Sequence, residues 1–516
     1  MPLPKGFEAQ LFRTADELRA GSKLTPAEYQ LPVLALLFLK YADEGFAKAH
    51  ATLNARRRRG APEPEDYRAE GAVYLRPEHR WGALVKLPDD ADLGKILNEA
   101  VRAVEEDNDS LRGVFPRDYN RIDKTILRDL LKALNTLEES PEGDVYGRVY
   151  EYFLGAFAPG TLQKGGEYFT PFSVVRLIVA VLEPYGGRIL DPACGSGGMF
   201  VQSARFVAEH KGSKALSIFG QEKTRQTIQL CRMNLAVHGL QGTVKEVTSS
   251  LYEFPVEKEV KEGFDFVMSN PPFNLKGVDK ERIKDDRARY PWGMPSGDNA
   301  NYLWIQRFYS ALNDTGRAGF VMANSASDAG GRDMDVRREL VKSGAVDVIV
   351  TLTPNLFYTV TLPVTLWFFD RAKSKGARAD EVLFIDAREV YEQVDRAHRT
   401  LTPAQVEFLA NIVRLWRGRA AEDHSGGLAL TTERVGASYR DVEGLCKRVS
   451  RKAIEENRWS LNPGRYVGVG AKVGAEEIDF EERLMELQEE FETLTAEAHA
   501  LEERVAENMS LLLGRR

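Results

Sequence analysis

The stretch RILDPACGSGGMF (188–200) decides the fold. Ile189 and Leu190 run into an acid, Asp191, and a loop holding Gly195, Gly197 and Gly198 then feeds the apolar pair Met199 and Phe200. This pattern carries a strand into a helix through a turn. Glycine in such a turn lets the backbone approach a ligand and leaves the amides at the helix end free. The spacing is Gly-x-Gly-Gly, not the GxGxxG of a dinucleotide site, so the turn needs support from its surroundings.

That support comes from short β-rich runs downstream: LSIFGQE (216–222), TVKEVTS (243–249), FDFVMSN (264–270), RAGFVMANS (317–325), VDVIVTL (346–352) and PVTLWFFD (363–370). Helix-length amphipathic segments separate most of them, such as GMFVQSARFVAEH (198–210) and TRQTIQLCRMNLAVHG (224–239). Alternating strand and helix predicts an α/β fold with a doubly wound, mostly parallel, Rossmann-like sheet. The last two runs are joined by TPNLFYTVTL (353–362), too short for a helical crossover, so one reversed strand is expected at that edge.

Upstream, to about residue 155, apolar residues recur at helical spacing, as in LPVLALLFLKYADEGF (31–46), LGKILNEAVRAVEE (93–106) and KTILRDLLKALNTL (124–137). The chain therefore divides into a helical N-terminal domain (1–155), the α/β domain (156–470) and a long C-terminal helix (471–516). In the last part Phe480, Leu484, Leu487, Phe491, Leu494, Ala498, Leu501 and Val505 form one narrow seam. Such a helix either lies back on its own domain or offers itself to a partner in a coiled coil; a seam sustained this long favours the partner.

The composition is that of a globular chain of 516 residues, 43% hydrophobic and 28% charged. LPVLALLFL (31–39) is too short to span a bilayer and too far inside the chain for a signal peptide, so a cytoplasmic location is expected. Cys194, Cys231 and Cys446 form no CxxC or Cys/His cluster, and neither a disulfide framework nor a metal site is indicated. A net charge of −7 argues against gripping a polyanion over the whole surface, so any nucleic-acid contact is local or shared. The basic run in NARRRRGAPEPE (54–65) reads as a solvated loop first and a phosphate contact second.

Asp191 and Glu222 end the first two candidate strands. A carboxylate at the second strand end accepts hydrogen bonds from a ribose diol, and a cationic sulfonium tolerates both acids where a pyrophosphate would be repelled. Alternatively both acids cap helices. SNPPF (269–273) ends the strand that follows. Open parallel sheets bind ligands beyond the carboxyl ends of their strands, which turns this motif toward the same cofactor. The side-chain carbonyl of Asn270 and the backbone carbonyl of Pro271 can accept hydrogen bonds from an exocyclic amino group and steer its lone pair toward a methyl donor. Pro271 and Pro272 stiffen this cup, and Phe273 offers a ring for stacking on a base taken out of its duplex.

At these residues the chain resembles the class I S-adenosylmethionine-dependent amino-methyltransferases, and specifically the modification subunit of type I restriction-modification systems. DPACGSGGMF (191–200) looks like that family's cofactor loop, SNPPF like its catalytic tetrapeptide, and GGEYFTP (165–171) like the segment that precedes the loop. The resemblance extends to residues 11–46 and to WSLNPGRYVGV (459–469). It implies S-adenosylmethionine as cofactor, with Glu167, Tyr168, Phe169 and Thr170 near its methionine end, Asp191, Gly195, Ser196, Gly197 and Gly198 around it, and Glu222 on the ribose. It implies transfer to adenine N6 in DNA, a DNA-reading specificity subunit as partner, and a translocating restriction subunit that can join. Two positions depart from the family: Ser249 stands where an aspartate often meets the cofactor's adenine, and Asn301 where a second acid is common, which bears on cofactor affinity. Competing readings are methylation of guanine in RNA or of a protein glutamine, and a non-catalytic cofactor-binding scaffold. Phe357 and Tyr358 lie where the family has residues near the flipped base, with strand-end packing as the alternative.

Overall fold

The computed structural model describes residues 26–56, 62–136, 149–151, 153–154, 170–210, 214–295, 299–357, 363–395 and 398–468. The C-terminal seam, Glu167, Tyr168, Phe169, Tyr358 and most of the arginine run lie outside the described residues.

The helical region is built on Pro26–Arg56, Leu93–Asp107 and Lys124–Asn135. Asp92 and Asp123 start the last two by accepting from the Lys95 and Thr125 amides, which satisfies donors the helix itself leaves open. In the second, Leu93, Leu97, Ala100, Val101 and Val104 fall on one stripe and are buried in the same core as the apolar residues of the first. The run at 31–39 is the centre of this core, with Val33 to Phe38 fully buried. No described helix is long and apolar enough to cross a membrane. Met233 and Val237 join the same core from the helix Arg225–Val237, so the helical region packs directly onto the α/β region.

The sheet has nine strands. They are β1 (Gly187–Asp191), β2 (Leu216–Glu222), β3 (Gly242–Glu246), β4 (Phe264–Ser269), β5 (Leu312–Ala323), β6 (Val346–Leu352), β7 (Val364–Asp370), β8 (Glu381–Ala387) and, after a separate two-residue ladder of β9 (Glu392–Gln393) with β10 (Arg399–Thr400), β11 (Cys446–Ser450). The order is β11-β8-β6-β7-β5-β4-β1-β2-β3. All seven runs read from the sequence are strands. The expected antiparallel pair is β6 with β7, but the expectation of one reversed strand at an edge is corrected. β7 lies inside the sheet, antiparallel to β5 and β6, and β11 is a second reversed strand, paired with β8. β6 has a free far side that β8 takes in parallel, so the sheet continues past the hairpin.

Neighbouring strand residues alternate between two cores. Ile189, Met268, Val321 and Phe368 face one, with the helices Phe172–Leu182, Gly198–Glu209 and Pro403–Trp416. Leu190, Val267, Phe320 and Trp367 face the other, with Asn301–Ala311 and Gly331–Lys342. Burial on both faces explains why these strands read as continuous apolar runs.

Candidate active site

The parallel order β4-β1-β2 places three strand ends side by side. β1 ends at Asp191, whose Oδ1 accepts from the Ala193 amide at 3.0 Å and from the Ser269 hydroxyl at 2.8 Å. Ser269 is the last residue of β4, so this bond ties the two strand ends together. Asp191 is 2% exposed, and burial pushes its carboxyl up to about 7; the nearby charge of Glu222 adds to the rise and the two hydrogen bonds oppose it.

The glycine loop leaves β1 and is held from two neighbouring elements. Glu222 at the end of β2 accepts from the Gly195 amide at 3.1 Å through Oε2, and from the Lys223 and Thr224 amides at 2.6 and 3.2 Å through Oε1. Asn234, buried in the helix Arg225–Val237, donates to the Ser196 carbonyl at 2.8 Å. Gly197 has φ +79°, and a Cβ there would stand 2.8 Å from the Cys231 sulfur. Both the turn and the neighbour therefore require glycine at this point. Glu222 and Asp191 bind amides of the loops and not of the helices, whose N-caps, Gly197 and Thr224, form no side-chain cap, so the capping alternative does not hold; both acids face the cavity. A carboxylate has about four acceptor positions, so Glu222, which takes three amides, keeps about one for a ligand hydroxyl, and Asp191 keeps its Oδ2.

Beyond β4, the Asn270 side-chain nitrogen donates to the Thr170 hydroxyl at 2.9 Å. Thr170 sits just before Pro171, the residue that precedes the helix Phe172–Leu182. Asn274, at φ +58°, is clamped by Asn301: its backbone amide donates to Asn301 Oδ1 at 2.7 Å, and Asn301 Nδ2 returns a bond to Asn274 Oδ1 at 2.9 Å.

All of this surrounds one cavity of about 770 Å³, lined by Thr170, Asp191, Gly195, Ser196, Gly198, Glu222, Ser249, Asn270, Pro271 and Pro272. Its size suits a nucleoside-sized ligand. Gly197 stands behind the wall. Phe273 does not line the cavity either; it is half-buried against both cores. Phe357 is 3% exposed within the core, as strand-end packing requires. Asn301 also stays off the wall, so in this chain it holds the SNPPF loop rather than a ligand. Gln30 and Leu31, from the N-terminal helical region, and Trp304, one turn after Asn301, line the cavity without having been foreseen. No local motif marks the first two.

Residues 141–473 match the family model "N-6 DNA Methylase", and residues 7–134 match "HsdM N-terminal domain". The MjaIX type I restriction enzyme methylase subunit of Methanocaldococcus jannaschii is 34% identical, over 98% of this chain and 91% of its own length. The HindI type I restriction enzyme methylase subunit of Haemophilus influenzae is 32% identical, over 81% and 92%. The fold is shared with a type I restriction-modification methyltransferase subunit from Streptococcus thermophilus, with TM-score 0.71 and 23% identity over 90% of this chain and 99% of that one. The chain thus belongs to the N-6 DNA methylase family, among the methylase subunits of type I restriction enzymes.

Proposed function

We propose that this chain transfers the methyl group of S-adenosylmethionine to the N6 amino group of adenine in DNA, as the modification subunit of a type I restriction-modification complex. The observation that carries this reading is that Asn270 and the glycine loop open into one cavity at the carboxyl ends of β1, β2 and β4. The cavity's donor set fits the cofactor: backbone amides around Gly195 to Gly198, a carboxylate for a ribose hydroxyl at Glu222, and a second carboxylate, Asp191, where a cation is favoured. When bound, the cofactor supplies an electrophilic methyl on a cationic sulfur.

The protein's share is positioning and polarisation. The adenine must leave its duplex to reach this depth. Thr170 holds the Asn270 amide in place, its hydroxyl taking the amide nitrogen in the orientation present. The Asn270 side-chain oxygen and the Pro271 carbonyl would accept the two N6 hydrogens and favour the pyramidal amine that attacks the methyl. Ser249 would face the cofactor's adenine as a hydroxyl rather than a carboxylate. Membership among N-6 DNA methylases favours adenine in DNA over guanine in RNA or a protein glutamine.

We read residues 1–155, 156–470 and 471–516 as helical, catalytic and partner-binding parts. The C-terminal seam is the proposed contact for the specificity subunit that reads DNA, and the net charge of −7 suits a chain that leaves DNA reading to such a partner.

The test is methyl transfer from tritiated cofactor to cognate DNA by the complete complex. Asn270→Ala should lose transfer and keep cofactor binding; full activity in that variant overturns the mechanism. Removal of residues 471–516 should release the co-purifying specificity subunit, and its retention overturns the partner assignment.

A further inference from the structure

The helix Gly198–Glu209 begins at the glycine loop and ends at His210, where a second cluster of ligating side chains gathers. His210, Glu422 and His424 each bring a ligand atom within 4.8 Å of the other two. Glu422 and His424 come from the turn after the helix Pro403–Trp416, with Glu422 212 residues further along than His210, so no sequence spacing announces the set.

The hydrogen bonds around the cluster decide which atoms face inward. His210 Nδ1 lies 2.7 Å from the Phe206 carbonyl. A carbonyl only accepts, so Nδ1 carries the proton and the neutral ring turns its Nε2 lone pair outward. That lone pair faces Glu422 Oε2 at 3.4 Å, and His424 Nε2 stands 4.0 Å from the same oxygen. Lone pairs facing one another at such distances need a positive charge between them, supplied by a proton or by a metal ion. Ligand atoms about 2.1 Å from a tetrahedral zinc lie roughly 3.4 Å apart, which the first pair already matches.

The ligands are also held from behind. The His210 ring stacks on Phe206 at 3.9 Å. Arg414 takes the other Glu422 oxygen at 3.0 Å, and Asn411 binds the Glu422 backbone amide and carbonyl, each at 2.8 Å. Glu407 accepts from the His424 amide and from the Ser425 and Gly427 amides at 2.9 and 2.7 Å, which fixes the turn carrying His424. Such supports orient metal ligands. The Arg414 charge works against a cation, and its ion pair with buried Glu183 offsets that charge.

We propose that His210, Glu422 and His424 bind a divalent transition-metal ion of the zinc class, with a fourth position open to water, and that the ion ties the end of the cofactor-loop helix to the 418–427 turn. Two imidazoles and one carboxylate suit zinc or cobalt better than magnesium or calcium. The proposal does not depend on the methyl-transfer reading.

The full chain, stripped with a chelator, is titrated with Co²⁺ and then Zn²⁺ while visible absorption is followed. One equivalent of Co²⁺ should give the strong d–d bands of a four-coordinate site, and Zn²⁺ should remove them. His424 is half exposed, so His424→Ala should keep its metal-free melting curve and lose at least about 100-fold in affinity, with Glu422→Gln following it. Absence of a stoichiometric site, or Co²⁺ bands unchanged in His424→Ala, overturns the proposal and leaves a protonated His210 on Glu422.

Discussion

The Asn270 side chain donates to the Thr170 hydroxyl at 2.9 Å, joining two positions 100 residues apart in sequence. A hydroxyl accepts from an amide nitrogen or donates to an amide oxygen, so this bond holds the plane and position of the Asn270 amide in the proposed amine site rather than its polarity. Misplacing a reacting group by about 1 Å can cost about 10²-fold in rate. Thr170→Val is therefore expected to lower single-turnover transfer about 10- to 100-fold, and Thr170→Ser to restore it. Cofactor affinity measured alongside separates the roles: a loss confined to affinity would move Thr170 from orienting Asn270 to holding the cofactor.

Asp191 gives a pH dependence with a defined sign. Burial lifts its carboxyl to about 7, and a cation in the cavity favours the ionised form, so binding should pull that value down and release a proton. Cofactor affinity is expected to rise between about pH 6 and 7, by at most about tenfold, and to level off above. Calorimetry across that range in two buffers checks both the affinity and the proton release. The folded value lies above the unfolded 3.8, so the native state holds its proton longer, and stability falls as pH rises from about 4 to 7. Oδ1 alone accepts both bonds, from Ala193 and Ser269, and an asparagine can keep them. Asp191→Asn should flatten the affinity profile and raise Tm at pH values above 7.

The same residues show how far the sequence could be read. Asp191, Glu222 and Asn270 were legible because each ends an apolar strand, and parallel strands bring their ends to one rim. The order of the strands was not. A short link predicts that β6 and β7 are antiparallel, but nothing local says that β7 inserts beside β5 or that EVLFIDA (381–387) then pairs with the far side of β6. CKRVS (446–450) has only Cys446 and Val449 facing inward, too little pattern to mark a strand without β8 as its template. The motif alone predicts that the Phe273 ring stacks on a base; that it packs half-buried against both cores follows only from the fold. Gln30 and Leu31 reach the cavity only through tertiary packing.

Gly197 combines two constraints that a double-mutant cycle can separate. A side chain at φ +79° costs about 1–2 kcal/mol, and the added Cβ would also press on the Cys231 sulfur at 2.8 Å. Gly197→Ala should lower stability by more than the backbone cost alone and weaken cofactor binding. Adding Cys231→Ala should recover the part due to the clash and leave the part due to φ. An equal penalty for Gly197→Ala in the parent and in the Cys231→Ala background would mean that the loop moves away from Cys231 freely.

The reciprocal bonds between Asn274 and Asn301 predict an order among substitutions. Asn274 sits in a left-handed conformation directly after the SNPPF motif, and both partners of its pair come from the buried Asn301 side chain. Asn301→Ala leaves the Asn274 amide without its acceptor, a loss worth about 1–3 kcal/mol, and frees the loop that carries Asn270. Asn301→Asp keeps an acceptor for the Asn274 amide; its second oxygen opposes the Asn274 carbonyl until that side chain turns over and presents its NH₂. The aspartate variant should therefore be the milder one in both Tm and transfer rate. Adding Asn274→Asp to Asn301→Asp sets two carboxylates against each other with no donor to share, so the pair should cost more than the sum of the single changes. Were the two effects to add, the side-chain bond would contribute nothing and the clamp would reduce to the Asn274 amide bond to residue 301.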